Sequence, residues 1–379
     1  MKIAMQKVSG FREIYHNRHK LAMDWKRDGK KVFGYLYSAV PEELIYAAGI
    51  LPVQLTEGDA SHTVARGRTI LLDAVCDLMQ SCLGQGLDGT YSYLDGLVIP
   101  DACASVKCFI TAWDIHLDTP YIYYLTPPFE ASMEGRIYYK KELNRFKKSI
   151  EEYCGREIDP ESLRSAIEVY NQNRDLLKGL YELRLQDKPP ICGSEVLEVV
   201  RAGLIMPKEE HNRMLRDLLR GISGEEAEGK FQSRLLVSMF DFEDCVSDEL
   251  NILEMVEQMG GNIVCDDICL GLRYFWEPVE PSGDLMEALL DRYLGNIPIG
   301  FRYPLEPRME KLLELARKSN IDGAIFIIPK YCSPYLFEYP YIERSFGQRK
   351  IPTLLLESGS NMPAEQVRTR LQAFLEMLG

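Results

Sequence analysis

The chain has 379 residues, 46% of them hydrophobic and 27% charged, an ordinary globular composition with enough apolar material for two or three domains. Its formal net charge is −13, which repels nucleic acid and anionic lipid and argues against a polyanion-binding role. No stretch approaches the ~18 apolar residues needed to span a bilayer and no secretory leader is evident; a cytoplasmic protein without membrane or nucleic-acid partners is expected, and its ten cysteines then point to metal or catalysis rather than a disulfide framework.

In chain order, residues 11–30 read as a helix, Val32–Leu36 as a short strand and Pro41–Ala48 as a helix closed by Gly49. Ile50–Leu55 is a second strand. Leu71–Leu87 has helical spacing, and Tyr93–Pro100 contains an apolar run of the buried-strand type. A helix over about Ala104–His116 and the strand Tyr121–Leu125 follow. From Tyr138 to Arg220 charged and apolar residues alternate at helical period, and Gly221–Gly229 reads as a loop. Strand and helix then alternate again: Leu235–Phe240, a helix near Glu249–Met259, Asn262–Cys265, a helix at Pro307–Ser319, Ile321–Pro329, Thr353–Glu357 and a final amphipathic helix Glu365–Leu378. Such alternation predicts α/β architecture with parallel sheets. The expected division is an N-terminal α/β domain (1–135), a helical region (136–229) and a similar C-terminal α/β domain (230–379), with the functional cleft between the two sheet domains.

One internal repeat supports this symmetry. Asp95-Gly96-Leu97-Val98-Ile99-Pro100-Asp101-Ala102-Cys103 is echoed by Asp322-Gly323-Ala324-Ile325-Phe326-Ile327-Ile328-Pro329-Lys330-Tyr331-Cys332. Both give Asp-Gly, a buried strand, then Pro-x-x-Cys. Each half therefore sets a cysteine just past the carboxyl end of a central strand, where open α/β sheets bind ligands and where the next helix favours a thiolate. Facing halves would bring Cys103 and Cys332 into one cleft. Cys76 or Cys82, both on the helix before the Asp95 strand, would supply a third thiolate.

The other cysteines read as packing residues, Cys154, Cys192 and Cys245 above all, with Cys108 a core residue. Cys265 and Cys269, four apart, are a weak pair that a helix would place on one face. Gly84-Gln85-Gly86-Leu87-Asp88-Gly89 has a dinucleotide-fingerprint outline but ends a helix and precedes a strand, so it reads as a turn. Gly224–Lys230 outlines a phosphate loop but is rich in carboxylates and lacks the required Ser or Thr. His16 and His19 read as solvated. The chain shows no ATP site, nicotinamide site or hydrolase triad of its own.

Several segments resemble the 2-hydroxyacyl-CoA dehydratase and benzoyl-CoA reductase family: Gly34–Val53 with its Tyr-Ser-Ala-Val-Pro-Glu-Glu core, Cys76–Leu83, Pro100–Cys103, Met206–His211, Pro329–Pro334 and Glu365–Leu371. They span nearly the whole chain in order, and the smaller (beta) subunit of the dehydratases is the nearest resemblance. The resemblance implies one [4Fe–4S] cluster held by three cysteines at the positions of Cys76, Cys103 and Cys332, and so selects Cys76 over Cys82. It implies a larger homologous alpha subunit as partner and a separate ATP-hydrolysing iron–sulfur activator that injects a low-potential electron. An acyl-CoA substrate would then lose water to give a 2-enoyl-CoA through a ketyl radical, the cluster of this chain relaying electrons.

Ser38, near a strand end, is a candidate to hydrogen-bond the thioester or the cluster surroundings, against a plain helix-entry role. Glu42 and Glu43 read as first-turn helix carboxylates rather than bases. An aryl-CoA reductase subunit of the same family is the rival reading. A non-catalytic iron–sulfur electron-transfer protein is the rival of another class.

Overall fold

The structure of the chain is a computed structural model and describes residues 2–58, 60–225, 231–239, 251–295, 302–359 and 362–379. Helices α1 (Lys2–His16) and α2 (Arg18–Arg27) lead into β1 (Lys31–Tyr35), α3 (Glu42–Ala47), β2 (Ile50–Gln54), α4 (Ala60–Gly67), α5 (Asp77–Leu87), β3 (Gly96–Pro100), α6 (Ala104–His116) and β4 (Ile122–Leu125). The helical region is α7 (Met133–Cys154), α8 (Pro160–Leu183), α9 (Gly193–Gly203) and α10 (Lys208–Ile222). The second half holds β5 (Ser233–Met239), α11 (Ile252–Gln258), β6 (Gly261–Ile268), α12 (Leu272–Phe275), α13 (Leu285–Gly295), α14 (Glu306–Lys318), β7 (Gly323–Pro329), α15 (Ser333–Gly347), β8 (Thr353–Ser358) and α16 (Ala364–Leu378).

The two sheets are built alike. One runs β2-β1-β3-β4 and the other β6-β5-β7-β8, all strands parallel. The Asp-Gly repeat has the same task in both. Asp95 accepts the Val32 N–H at 2.9 Å on its carboxylate and donates its own N–H to the Val32 carbonyl at 2.8 Å. Asp322 makes both bonds to Arg234, each at 2.7 Å. Each aspartate thus sets the register of a central strand against its neighbour. The glycine that follows sits opposite Phe33 in one sheet and Leu235 in the other. A Cβ on Gly96 would lie 2.5 Å from the Phe33 ring, so the repeat needs glycine there for space. Strands β3 and β7 are buried along their whole lengths, as parallel strands covered on both faces must be.

Several elements depart from the expected boundaries. The helix expected over 11–30 starts earlier and divides at Asn17 into α1 and α2. The helix expected from Leu71 begins only at Asp77, so Cys76 stands at its N-cap rather than within it. Cys265 lies in β6 and Cys269 just beyond it, not on a shared helical face. Cys108 is exposed, because α6 turns that residue outward while Val106 and Phe109 face the core. His19 is not solvated: its Nδ1 lies 3.1 Å from the Tyr93 hydroxyl, and burial, with Arg18 nearby, pushes its pKa down to about 4. Cys245, Phe240, residues 226–229 of the expected loop and 249–250 of the helix expected near Glu249–Met259 lie outside the described residues.

Helix α4, which is not among the expected elements, packs closely on α5 through glycines. A Cβ on Gly84 would sit 2.0 Å from the Thr63 carbonyl oxygen, and one on Gly67 would sit 1.9 Å from that of Gln80. Gly84, from the false dinucleotide motif, is therefore a helix-crossing residue, and Gly89 (φ 79°) ends the turn after α5. Replacing Gly84 with alanine should destabilise the chain by about 1–3 kcal/mol or more, the range for overpacking, read as a drop in denaturation midpoint. An unchanged midpoint would show that the two helices can separate freely.

The core does not respect the division of the chain. One apolar cluster contains Val8, Val32 and Phe109 together with Phe275 and Phe326. A second joins Phe33, Leu44 and Phe146 to Leu289 and Tyr293 of α13. Among the described residues no helix is long and apolar enough to cross a membrane.

Two buried titratable groups, Glu257 of α11 and His211 of α10, give opposite pH signatures. Glu257 accepts from the Ser194 N–H (3.2 Å) and hydroxyl (2.5 Å) at the start of α9, and burial pushes its pKa up from 4.5 to about 7. The folded state keeps a proton that the unfolded chain releases, so this contribution is full below pH 4.5 and is lost as pH rises through 7. Glu257→Gln should therefore be more stable than wild type at pH 8, by about 1–3 kcal/mol, with the gap closing at pH 5. A gap of the same size at both pH values would refute the assignment. His211 runs the other way. Buried between Asn173 (2.7 Å) and the Val199 carbonyl (2.9 Å), it is pushed down to about 3 by burial and by Lys208. Its contribution is present above 6.5 and lost in acid.

Candidate functional site

The carboxyl ends of β3 and β7, one strand from each sheet, open on one cavity of about 440 Å³. Cys76, Cys103 and Cys332 all line it. Each is the N-cap of a helix: Cys76 of α5, Cys103 of α6 and Cys332 of α15. All three are part-buried. Three helix N-termini thus converge on the thiols, and their backbone N–H groups and dipoles favour sulfur in its anionic form. At Cys103 burial pushes the thiol pKa up, while the Val106 and Ser105 N–H groups pull against it. Cys82, the alternative third thiol, is fully buried in the core instead, 3.6 Å from the Thr56 carbonyl.

The remaining lining mixes aromatic and polar groups. Tyr37, Phe129, Tyr331 and Phe337 are the aromatics; Ser105, Ser333 and the Asp101–Lys107 pair (3.3 Å) are the polar groups. Phe129, Tyr331 and Phe337 are all more than half exposed, so the mouth is apolar. Tyr37 (φ 62°) and Tyr331 (φ 66°) hold left-handed backbone, which is uncommon for a bulky residue and is found where a site over-determines its turn. Each half contributes one.

Ser38 follows Tyr37 but turns inward. It is buried, with its hydroxyl 3.3 Å from the Cys269 sulfur in the loop after β6. It joins a turn of the first half, next to the cavity-lining Tyr37, to a loop of the second. Glu42 and Glu43 do occupy the first turn of α3, yet they are also fully paired. Glu43 binds Arg174 of α8 and the Tyr293 hydroxyl of α13 (2.7 Å). Glu42 takes Lys208 of α10 (3.7 Å) and the Tyr170 hydroxyl (3.3 Å). Burial would raise the Glu43 carboxyl, but Arg174 and Arg292 outweigh it and hold its pKa below the usual range.

A second buried network anchors α15. Arg308 clasps Asp267 with two bonds (3.2 and 2.8 Å) and reaches Glu338 on the helix that Cys332 caps. Neither network was evident from the sequence, because its members come from elements far apart in the chain. The only signal was the occurrence of Glu42–Glu43 and Lys208–His211 within segments that carried the resemblance.

Among the described residues no three His, Cys, Asp or Glu side chains are close enough to share a single metal ion. A cubane does not ask for that, since each of its cysteines binds a different iron. The donor set facing the cavity, three thiols and no histidine, suits iron–sulfur chemistry over a hard oxygen-loving ion.

A family model described as 2-hydroxyglutaryl-CoA dehydratase, D-component, matches residues 37–378. The chain belongs to this dehydratase family. It is 30% identical over 346 residues to a benzoyl-CoA reductase subunit of Thauera aromatica, covering 90% of this chain and 89% of that one. It is 27% identical to the (R)-phenyllactyl-CoA dehydratase beta subunit of Clostridium sporogenes, covering 97% of both. It is 26% identical to the (R)-2-hydroxyglutaryl-CoA dehydratase beta subunit of Acidaminococcus fermentans, covering 98% of both. The dehydratase-family match begins at Tyr37, the first residue of the cavity wall, and takes in all three cavity cysteines.

Proposed function

We propose that the chain is the [4Fe–4S] subunit of a 2-hydroxyacyl-CoA dehydratase, with Cys76, Cys103 and Cys332 as its three thiolate ligands. The single observation that carries the reading is that these cysteines, distant in sequence, cap three helices around one cavity. When bound, such a cluster passes single electrons at low potential. The protein's own part is positional. The helix N-termini stabilise thiolate, the aromatic rim limits water at the mouth, and the two ionic networks fix α3 and α15 behind the ligand-bearing turns. Ser38 acts as a positioning residue, holding the Tyr37 turn against Cys269. In this reading the partners are a larger homologous subunit and an ATP-hydrolysing activator; two dehydratase relatives bear the name beta subunit.

A second reading, a subunit of a benzoyl-CoA reductase, is favoured by the 30% identity to such a subunit. Anaerobic co-expression with the larger subunit and activator, followed by assay with 2-hydroxyacyl-CoA and benzoyl-CoA, separates the two. The expected product is a 2-enoyl-CoA. Ring reduction without dehydration would select the reductase, and iron without either activity would select plain electron transfer.

A further inference from the structure

The buried ionic network around α3 holds three cations against two carboxylates. The cations are Arg174 of α8, Lys208 of α10 and Arg292 of α13, and the carboxylates are Glu42 and Glu43. None of the five is more than 4% exposed. Both carboxylates are already committed. Glu43 binds Arg174 and accepts from the Tyr293 hydroxyl at 2.7 Å. Glu42 accepts from the Tyr170 hydroxyl at 3.3 Å and pairs with Lys208 at 3.7 Å.

Arg292 is the surplus cation. Its Nη2 donates to the Tyr274 carbonyl at 2.6 Å, while its Nε and Nη1 are buried and find no hydrogen-bond partner among the described residues. Burial and the neighbouring Arg174 both work against its charge, and Glu43, shared with Arg174, offsets them only in part. A guanidinium does not give up its proton inside a protein, and a buried charge is costly until an opposite one meets it. The adjoining tyrosines do not supply that charge. Burial raises the Tyr274 and Tyr293 hydroxyls well above their usual range and keeps both neutral. Water would satisfy the two spare donor atoms but would leave the charge standing. The complement is therefore a monovalent anion, and a surround this closed suits a single atom.

We propose that Arg292 holds a buried chloride ion, which completes the charge balance of the α3–α8–α10–α13 network. The ion binds only the folded chain, because only the fold brings Arg292 to these neighbours. It ties α13 to the first half, and it depends neither on the iron nor on the acyl-CoA substrate.

The test is thermal denaturation of the full chain, purified anaerobically with its iron, in chloride–gluconate mixtures of constant ionic strength. A ligand of the folded state stabilises it by mass action, so each tenfold rise in chloride above the dissociation constant should lift the midpoint by about 1–3 °C. Arg292→Met should abolish that dependence and should melt no lower than wild type in gluconate alone. Arg136→Gln, which removes a part-exposed arginine paired with Glu287 and Asp291 of the same helix, should keep the wild-type dependence. Crystals of the wild type grown in bromide should show anomalous density in contact with Nε or Nη1 of Arg292. Equal wild-type midpoints in chloride and gluconate would overturn the proposal, as would the same chloride dependence in Arg292→Met. Bromide at Arg292 without any effect on the midpoint would mark an adventitious ion only and would overturn it too. Should Arg292→Met fail to fold, wild-type bromide density decides alone: at Arg292 it upholds the site, and its absence there defeats it.

Discussion

Replacing Arg174 with methionine should destabilise the folded chain by about 3–5 kcal/mol, the usual result of stripping one partner from a buried ion pair. Arg174 is 2% exposed and Glu43 0%. Without the guanidinium, the carboxylate keeps the Tyr293 hydroxyl at 2.7 Å but loses its closest compensating charge. The pair's contribution is complete above the ordinary glutamate value of 4.5 and is lost as pH falls below it, because Glu43 is held ionised in the fold. Combining Arg174→Met with Glu43→Gln should cost less than the sum of the two single changes, since the double variant removes both members of the pair together. Denaturant titration of the four proteins measures the cycle. A single-variant loss under about 1 kcal/mol, the scale of an exposed pair, would mean that water reaches this site.

The second large effect is on iron. Cys103→Ala should remove most of the chain's iron and reduce activity by more than about 100-fold, beyond the 10–100-fold typical of losing a group behind a ligand. Cys108→Ala and Cys154→Ala are the controls. Cys108 lies on the same helix but is exposed, and Cys154 ends α7 away from the cavity lining. Both should keep wild-type iron by chemical assay and visible absorbance. Equal iron loss in Cys108→Ala and Cys103→Ala would defeat the ligand assignment.

Much of the framework was legible because it is local. The strands that read as continuous apolar runs, β3 and β7, are buried parallel strands, and the expected helix Ala104–His116 is α6. The Asp-Gly-strand-Pro-x-x-Cys repeat located Cys103 and Cys332 because side-chain spacing survives folding unchanged. What stayed hidden depends on partners far away in the chain. Helix α4 owes its place to the Gly67–Gly84 crossing, made by small residues that give a short, weak signal in the sequence. The pairing of Glu43 with Arg174 spans 131 residues, and no local pattern announces it. Spacing alone did not separate Cys76 from Cys82. In the fold the difference is one of place, since Cys76 caps the helix at the cavity while Cys82, nearly two turns further in, is buried in the core.

The position of α13 has a consequence for how the molecule melts. It follows β6 in the chain yet packs beside Phe33 and Leu44 of the first half and Phe146 of α7, and its Tyr293 hydroxyl holds Glu43. Neither sheet can come apart without tearing a seam that belongs to the other. Despite two sheets and a length at which stepwise denaturation is common, calorimetry should register a single endotherm whose van't Hoff and calorimetric enthalpies agree.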